Sequence, residues 1–82
     1  MYYIYGKEFC KYCEKAKNLL LNKYSFIYID LDDIDLNNIK LEDNLERVKK
    51  SNMDTIPIIF WISDEEDRLV GGYDDLVNEL NL

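Results

Sequence analysis

Short apolar runs alternate with amphipathic stretches along the chain, and this alternation predicts strands that alternate with helices. The first run, Met1 to Tyr5, is rich in aromatic and β-branched residues and is closed by Gly6, so we expect a buried first strand. From Lys11 to Lys23, apolar or small side chains recur at three- and four-residue spacing, which indicates a helix with one buried face. The buried positions of this helix are Cys13, Ala16, Leu19 and Leu20.

The next two segments predict a second strand and a second helix. Ser25 to Asp30 is a short apolar run, and a strand, a helix and a strand in this order form a parallel unit. The acidic connection from Asp30 to Asp43 is expected to be a solvated linker. It leads into Leu41, Leu45 and Val48, whose spacing predicts a helix over about Ile39 to Ser51.

The last part of the chain predicts a hairpin followed by a helix. Pro57 to Ile62 is a continuous apolar strand, and the polar turn after it returns the chain through Arg68 to Val70 to a glycine pair. The last helix should begin at Asp74 or Asp75 and bury Leu76, Val77 and Leu80. The predicted order is βαβαββα, with helices packed on one sheet in a single domain of residues 1–82.

Composition and charge narrow the class of protein. A chain of 82 residues with 48% hydrophobic residues is consistent with one small packed domain. Its net charge of −7 argues against general binding to nucleic acid, which depends on lysine and arginine. The apolar run at Met1 to Tyr5 is shorter than a signal-peptide core or a membrane span, so we expect a cytoplasmic protein with no membrane partner.

The chain contains two cysteines, Cys10 and Cys13, and no histidine. In a protein without a secretory signal, such a pair favours catalysis or metal binding over a static disulfide. A structural zinc site needs four ligands, and two cysteines without histidine supply half of them, so we expect no metal site. The absence of histidine also excludes a Cys-His nucleophile pair.

The position of the pair predicts thiol–disulfide exchange. Cys10 lies where a strand ends and a helix begins, so backbone N–H groups and the positive end of the helix dipole point toward its sulfur. With Lys7, Lys11 and Lys15 nearby, these surroundings lower a cysteine pKa from about 8.5 into the range of ~3.5 to 7.5. Cys10 would attack a disulfide, and the more buried Cys13 would resolve the mixed disulfide by attacking Cys10.

Three motifs in order, "CKYC" after the first strand, "TIP" before the third and "GGYDDL" before the last helix, resemble the glutaredoxin family. The resemblance implies an α/β fold, a single compact thioredoxin-like domain with a four-stranded mixed sheet flanked by three helices. It implies an enzyme, a glutathione-dependent oxidoreductase that reduces protein disulfides and glutathione mixed disulfides in cell redox homeostasis. Glutathione would be a co-substrate with no permanently bound cofactor, ribonucleotide reductase a possible protein partner, and the protein a monomer.

The resemblance also assigns roles to individual residues. Cys10 would be the nucleophile and Cys13 the resolving thiol, and Pro57 would follow a cis peptide bond and pack against the sulfurs. The implied glutathione-binding residues are Lys7, Tyr12, Thr55, Ile56, Pro57, Gly72, Tyr73, Asp74 and Asp75. Lys7 would meet the glycyl carboxylate of glutathione, with Arg47 or Lys49 as other choices. Each role has a simpler structural alternative: Tyr12 in packing, Asp74 or Asp75 in helix capping, and Lys7 as a solubilising charge.

Two positions depart from the family pattern. Lys11 stands where proline is common, and its charge alone favours the Cys10 thiolate and a more oxidising protein. The loss of the rigid proline ring can act in the opposite direction, so the sequence leaves the net redox potential open. Asp54 stands where a basic or neutral residue is usual. Two alternative functions stay open: a thioredoxin-like reductant recycled by a reductase, and a module that binds an iron–sulfur cluster with glutathione. The absence of tryptophan before Cys10 disfavours the first of these.

Overall fold

The computed structural model describes residues 1–33 and 40–81, and its elements follow the predicted order. The strands are β1 (Tyr2–Gly6), β2 (Phe26–Asp30), β3 (Ile58–Ile62) and β4 (Asp67–Gly71). The helices are α1 (Lys11–Leu20), α2 (Lys40–Ser51) and α3 (Tyr73–Leu80), with a short 3₁₀ turn at Leu31–Asp33. Part of the expected acidic linker, together with Ile39 at the expected start of α2, lies outside the described residues.

The four strands form one mixed sheet in the order β2-β1-β3-β4. Strand β1 pairs with β2 in parallel, as the predicted strand–helix–strand unit requires, with Tyr2 opposite Phe26. Strand β3 pairs antiparallel with β1 and with β4, which confirms the hairpin. The predicted fold class, a four-stranded mixed sheet with three helices, is therefore confirmed.

The sheet buries side chains on both faces because successive residues of a strand point to opposite sides. On one face, Ile4 and Ile59 pack with α1 and α3 in a cluster that also contains Tyr2, Ala16, Leu20 and Leu76. On the other face, Tyr5, Ile58 and Phe60 form a second cluster that Val48 of α2 joins. The sheet is thus the middle of three layers, with α1 and α3 on one side and α2 on the other.

Several element boundaries differ from the prediction. Helix α1 ends at Leu20 and not at Lys23, because Leu21 leaves the helical conformation, with ψ 130°, and Asn22 takes a left-handed one with φ 67°. Gly6 belongs to β1 and pairs with Asp30. Helix α3 begins at Tyr73, one residue before the expected start, because Gly72 is its N-cap. None of the helices in residues 1–33 and 40–81 is long and apolar enough to cross a membrane.

The last helix is tied to the sheet by a hydrogen-bonded cluster at Glu79. Its carboxylate accepts hydrogen bonds from the Tyr2 hydroxyl, at 2.7 Å, and from the Arg68 guanidinium. The bond from Arg68 chiefly lowers the pKa of Glu79 below its usual 4.5; burial partly opposes this shift, and the bond from Tyr2 adds to it. The folded protein therefore favours ionised Glu79.

Substitution of Glu79 tests this cluster. Because the pKa of Glu79 is lowered by folding, its contribution to stability is present above the unfolded value and is lost as the pH falls through the lower folded value. We expect Glu79→Gln to lower the free energy of unfolding at pH 7, and the difference from the unsubstituted protein to shrink below about pH 4. Urea unfolding at both pH values measures this difference.

Glu66→Gln is the matched control, since Glu66 also contacts Arg68, at 3.1 Å, but both side chains of that pair are exposed. An exposed ion pair contributes about 0–1 kcal/mol, so we expect the smaller effect there. Equal losses of stability in the two variants at pH 7, or a Glu79→Gln difference that does not change with pH, would contradict the cluster's assigned role.

Candidate active site

The two cysteines lie at the N-terminus of α1, directly after the turn that follows β1. Cys10 is the N-cap of the helix, and its sulfur accepts a hydrogen bond from the N–H of Cys13 at 3.2 Å. The two are joined as a disulfide, with their Cα atoms 5.2 Å apart. Cys10 is partly exposed whereas Cys13 is fully buried, as the sequence predicted. The pair therefore has one accessible and one sheltered sulfur.

Gly6 allows the sheet to approach the sheltered sulfur closely. A Cβ atom at Gly6 would lie 2.6 Å from the Cys13 sulfur and 2.5 Å from the Tyr28 hydroxyl, so neither could stay in place. That hydroxyl donates a hydrogen bond to the Lys7 carbonyl at 2.9 Å, which ties β2 to the segment that precedes Cys10. The absence of a side chain at Gly6 thus lets β1, β2 and α1 meet beside Cys13.

Eight of the nine predicted glutathione-binding residues line one open groove of about 520 Å³. They come from three parts of the chain: Tyr12 from α1, Thr55 to Pro57 from the segment before β3, and Gly72 to Asp75 from the start of α3. The Ile56–Pro57 peptide bond is cis, as the resemblance predicted. Tyr12 is two residues from Cys10 in the chain, so the groove reaches the first turn of α1, which Cys10 caps.

Asp75 has a structural role at the rim of the groove. Its carboxylate accepts a hydrogen bond from the N–H of Gly72 at 2.9 Å, so it caps α3. Asp74 is exposed and also lines the groove. The structural alternative considered for the two acids thus applies to Asp75, which lines the groove as well.

Of the cations predicted to meet a carboxylate, Lys7, Arg47 and Lys49, none lines the groove. Lys7 is exposed, does not line the groove, and lies 3.8 Å from Asp32 in an ion pair. Arg47 is on the other side of the sheet, where it forms an ion pair with Asp67 at 2.8 Å and contacts the Tyr5 hydroxyl. Burial alone lowers the pKa of Arg47, but its hydrogen bonds with Tyr5 and Asp67 outweigh burial and raise it. The Arg47 side chain therefore contacts other residues of the fold and not the groove.

Sequence reasoning gave no chemical role to Met53 and treated Lys15 only as a nearby charge. Met53 lines the groove beside Gly72. The Lys15 ammonium lies 5.1 Å from the ring centre of Tyr12 and 5.9 Å from that of Tyr73. These two rings are themselves 5.8 Å apart. Only the nearness of Met53 to the "TIP" motif, and of Lys15 to Cys13, could have indicated these positions.

A substitution at Gly71 tests how the start of α3 is held. Gly71 has φ 122°, a conformation open to glycine, and a Cβ there would overlap the Asp75 carboxylate. We expect Gly71→Ala to lower the free energy of unfolding by about 1–3 kcal/mol, because backbone strain is added and the cap of α3 is displaced. Urea unfolding followed by circular dichroism measures the loss.

Gly72→Ala is the matched control for Gly71→Ala. A Cβ at Gly72 would meet only the Met53 methyl at 3.7 Å and the Pro57 carbonyl oxygen at 3.8 Å, which are ordinary contacts. We therefore expect a change of no more than about 1 kcal/mol for this variant. If the two substitutions were equally tolerated, the assigned geometry at Gly71 would be wrong.

Within residues 1–33 and 40–81, the structure contains no group of three or more cysteine or acidic side chains arranged to hold a metal ion. The chemistry that the described site offers is that of the two sulfurs, the groove and the helix N-termini beside it.

Comparison with known proteins identifies the family. The family model described as glutaredoxin matches residues 3–66. The chain is 40% identical over 74 residues to glutaredoxin 3 of Escherichia coli, a match that covers 89% of this chain and 77% of that protein. The solution structure of glutaredoxin from Brucella melitensis is 32% identical, covers 98% of this chain and 77% of its own, and superposes with a TM-score of 0.65.

A second solved structure shares the fold at lower identity. It is the glutaredoxin-like protein NrdH-redoxin from Escherichia coli, with 20% identity, a TM-score of 0.59, and coverage of 96% of this chain and 92% of that one. The family match and the adjacent cysteine pair support a thiol oxidoreductase role. The match over residues 3–66 and the 40% identity to glutaredoxin 3 show that the chain belongs to the glutaredoxin family.

Proposed function

We propose that this protein is a glutathione-dependent oxidoreductase that reduces protein disulfides and glutathione mixed disulfides and is itself reduced by glutathione. The observation that carries the proposal is the groove, which begins at Tyr12 beside Cys10 and is lined by the "TIP" segment and the start of α3. Its volume of about 520 Å³ lies in the range of small-ligand sites, about 300–1,000 Å³. A tripeptide is a ligand of suitable size.

The lining of the groove suits the main chain and the γ-glutamyl end of glutathione. Thr55 and Ile56 precede β3, so their main chain is placed to pair with an extended peptide as an added strand would. The first N–H groups of α3 suit the γ-glutamyl carboxylate, and the exposed Asp74 suits the ammonium group beside it. Lys7 lies outside this lining and is proposed for the glycyl carboxylate on the family resemblance alone.

The proposed reaction has two exchange steps. The Cys10 thiolate attacks one sulfur of a substrate disulfide, forming a mixed disulfide while the other sulfur leaves as a thiolate and takes up a proton. Cys13 then loses its proton to solvent and attacks the Cys10 sulfur, which releases the second substrate thiol and leaves the Cys10–Cys13 disulfide. Two glutathione molecules reduce that disulfide and leave as glutathione disulfide, so two electrons pass to the substrate.

Two features of the site suit these roles. The N–H of Cys13 already points at the Cys10 sulfur, which favours its thiolate, and Cys13 is sheltered until a mixed disulfide forms beside it. A compartment rich in glutathione, such as the cytoplasm, would supply the reductant. Ribonucleotide reductase is the particular protein substrate that the family resemblance suggests for assay.

The electron donor separates this proposal from a thioredoxin-like one. The solved NrdH-redoxin is described as a glutaredoxin-like protein with a thioredoxin-like activity profile, so a shared fold does not decide the donor. We expect the oxidised protein to be reduced by glutathione with glutathione reductase and NADPH, and to be a poor substrate of thioredoxin reductase. NADPH consumption in the two coupled assays measures both. The opposite preference would overturn the proposal.

The binding groove is tested in the same coupled assay. We expect Asp74→Asn to raise the KM for glutathione about tenfold, because the ammonium group would lose a charged partner. Asp64→Asn, an exposed acid in the turn between β3 and β4, is the matched control and should leave KM unchanged. An unchanged KM in Asp74→Asn would remove this residue from the site.

A further inference from the structure

Phe9 has an unusual combination of exposure and backbone conformation. Its side chain has a relative exposure of 102%, so the fold gains no burial from the ring. Its φ of 59° lies in the left-handed region, which is disfavoured for a bulky residue. Isolated exposed apolar residues are common on protein surfaces, but this ring is held outward, in a disfavoured conformation, immediately before the accessible cysteine.

The ring lies near Cys10 but outside the groove. Consecutive Cα atoms are about 3.8 Å apart, so the Phe9 ring is within side-chain reach of a group bonded to the Cys10 sulfur. Phe9 is not among the residues that line the groove. A tripeptide in the groove would therefore leave the ring free to contact the other partner of a mixed disulfide.

The charges around Phe9 differ in sign from those of the whole protein. From Lys7 to Lys17 the chain has four lysines and two glutamates, a local net charge of +2, whereas the whole chain has −7. Lys7 and Lys11, two residues before and after Phe9, are both exposed, as is Glu8 between them. Lys7 lies 3.8 Å from the exposed Asp32, and a surface pair of this kind is weak, so a substrate carboxylate can compete for Lys7. We call Phe9, Lys7 and Lys11 the Phe9 surface. It presents an apolar ring between two cations next to the reactive sulfur.

We propose that the Phe9 surface docks polypeptide substrates in which an apolar side chain and acidic residues flank the reacting cysteine. The inference rests on the proposed exchange chemistry at Cys10 and adds a preference among its protein substrates. The ring supplies apolar contact area, and the lysines attract acidic residues that the rest of this acidic protein repels. Docking precedes the two exchange steps and changes neither of them.

The test is a single-turnover reaction that contains no glutathione. Fully reduced protein, freed of reductant, is mixed with one of three disulfides: a peptide homodimer with leucine and glutamate beside its cysteine, a homodimer with serine and glutamine there, or bis(2-hydroxyethyl) disulfide. Formation of the Cys10–Cys13 disulfide is followed by mass spectrometry after acid quenching. We expect the apolar acidic peptide to react fastest, and its advantage to fall as salt is raised.

Substitution of the ring separates docking from reactivity. We expect Phe9→Asn to slow the reaction of the apolar acidic peptide about tenfold and to leave the rate with bis(2-hydroxyethyl) disulfide within about twofold, because the small disulfide has neither an apolar side chain nor an acidic residue for the Phe9 surface to bind. Asparagine is chosen because it tolerates the left-handed backbone. Leu69→Asn, at a 40% exposed residue of β4, is the control for loss of an exposed apolar side chain and should change neither rate.

Three results would overturn the inference: an undiminished rate of Phe9→Asn with the apolar acidic peptide, an equal loss with the small disulfide, or no preference among peptides in the unsubstituted protein. Because glutathione is absent from this assay, its outcome is independent of the electron-donor assay. A protein that fails to use glutathione can still show the peptide preference.

Discussion

Replacement of Cys10 by serine is expected to abolish thiol–disulfide exchange while leaving the fold intact. Serine is a favourable N-cap, so its hydroxyl can accept the Cys13 N–H that the sulfur accepts now, at 3.2 Å. The hydroxyl cannot form the mixed disulfide, and we expect kcat/KM to fall by more than about 10³-fold. Reduction of the mixed disulfide of glutathione and 2-mercaptoethanol, coupled to glutathione reductase and NADPH, measures the loss.

Cys13→Ala is the matched variant for the second step. Cys13 is fully buried, and alanine avoids burying a hydroxyl without a partner. This variant should still attack a peptide disulfide through Cys10, but the mixed disulfide should then accumulate because no second sulfur resolves it. Mass spectrometry should detect one peptide attached at Cys10. Full activity of Cys10→Ser, or attachment at Cys13 in the unsubstituted protein, would reverse the assigned roles.

The largest effect on stability is expected from Ile59→Ala. Ile59 has no exposed surface and lies on β3, where it packs in the cluster shared with α1 and α3. Truncation of a buried isoleucine to alanine costs about 2–5 kcal/mol in free energy of unfolding. A chain of this size is stabilised by only about 4–12 kcal/mol in total, so the loss is a large fraction. Urea unfolding followed by Trp61 fluorescence, in one fixed redox state, measures it.

Two controls separate cavity formation from other effects at this position. Ile59→Val removes one methylene and should cost about 0.5–1.5 kcal/mol. Ile27→Ala removes the same atoms as Ile59→Ala from a residue of β2 that is 40% exposed, and it should cost less than Ile59→Ala because water already covers part of the side chain. Equal losses in Ile59→Ala and Ile27→Ala would show that the core is not packed around β3 as described.

Much of the fold could be predicted from the sequence because apolar periodicity depends on near neighbours. The order of elements, the parallel pairing of β1 with β2 and the burial of Cys13 all followed from short patterns. The predicted ends of helices were less accurate where the backbone conformation of a single residue decides where the helix begins or ends. The end of α1 depends on the non-helical backbone of Leu21 and the left-handed backbone of Asn22. The start of α3 depends on the hydrogen bond that the Gly72 N–H donates to the Asp75 carboxylate.

The site was predicted in part. The three motifs indicated eight residues that the structure places around one groove, although their roles in binding glutathione stay a prediction. Lys7 and Arg47 illustrate what sequence patterns omit, since each has an acidic partner distant in the chain, Asp32 and Asp67. No local pattern shows that such a cation has an acidic neighbour in the fold.

By itself, the sequence determined that two cysteines of unequal exposure stand at the start of a helix, because strand ends, helix starts and buried faces are set by adjacent residues. The three motifs indicated which residues could share a site, but only the tertiary structure shows that Tyr12, the "TIP" segment and the start of α3 line one open groove, with Phe9 outside it. That arrangement depends on β3 pairing with β1 across a long stretch of chain, and such pairing is governed by the packing of the whole sheet.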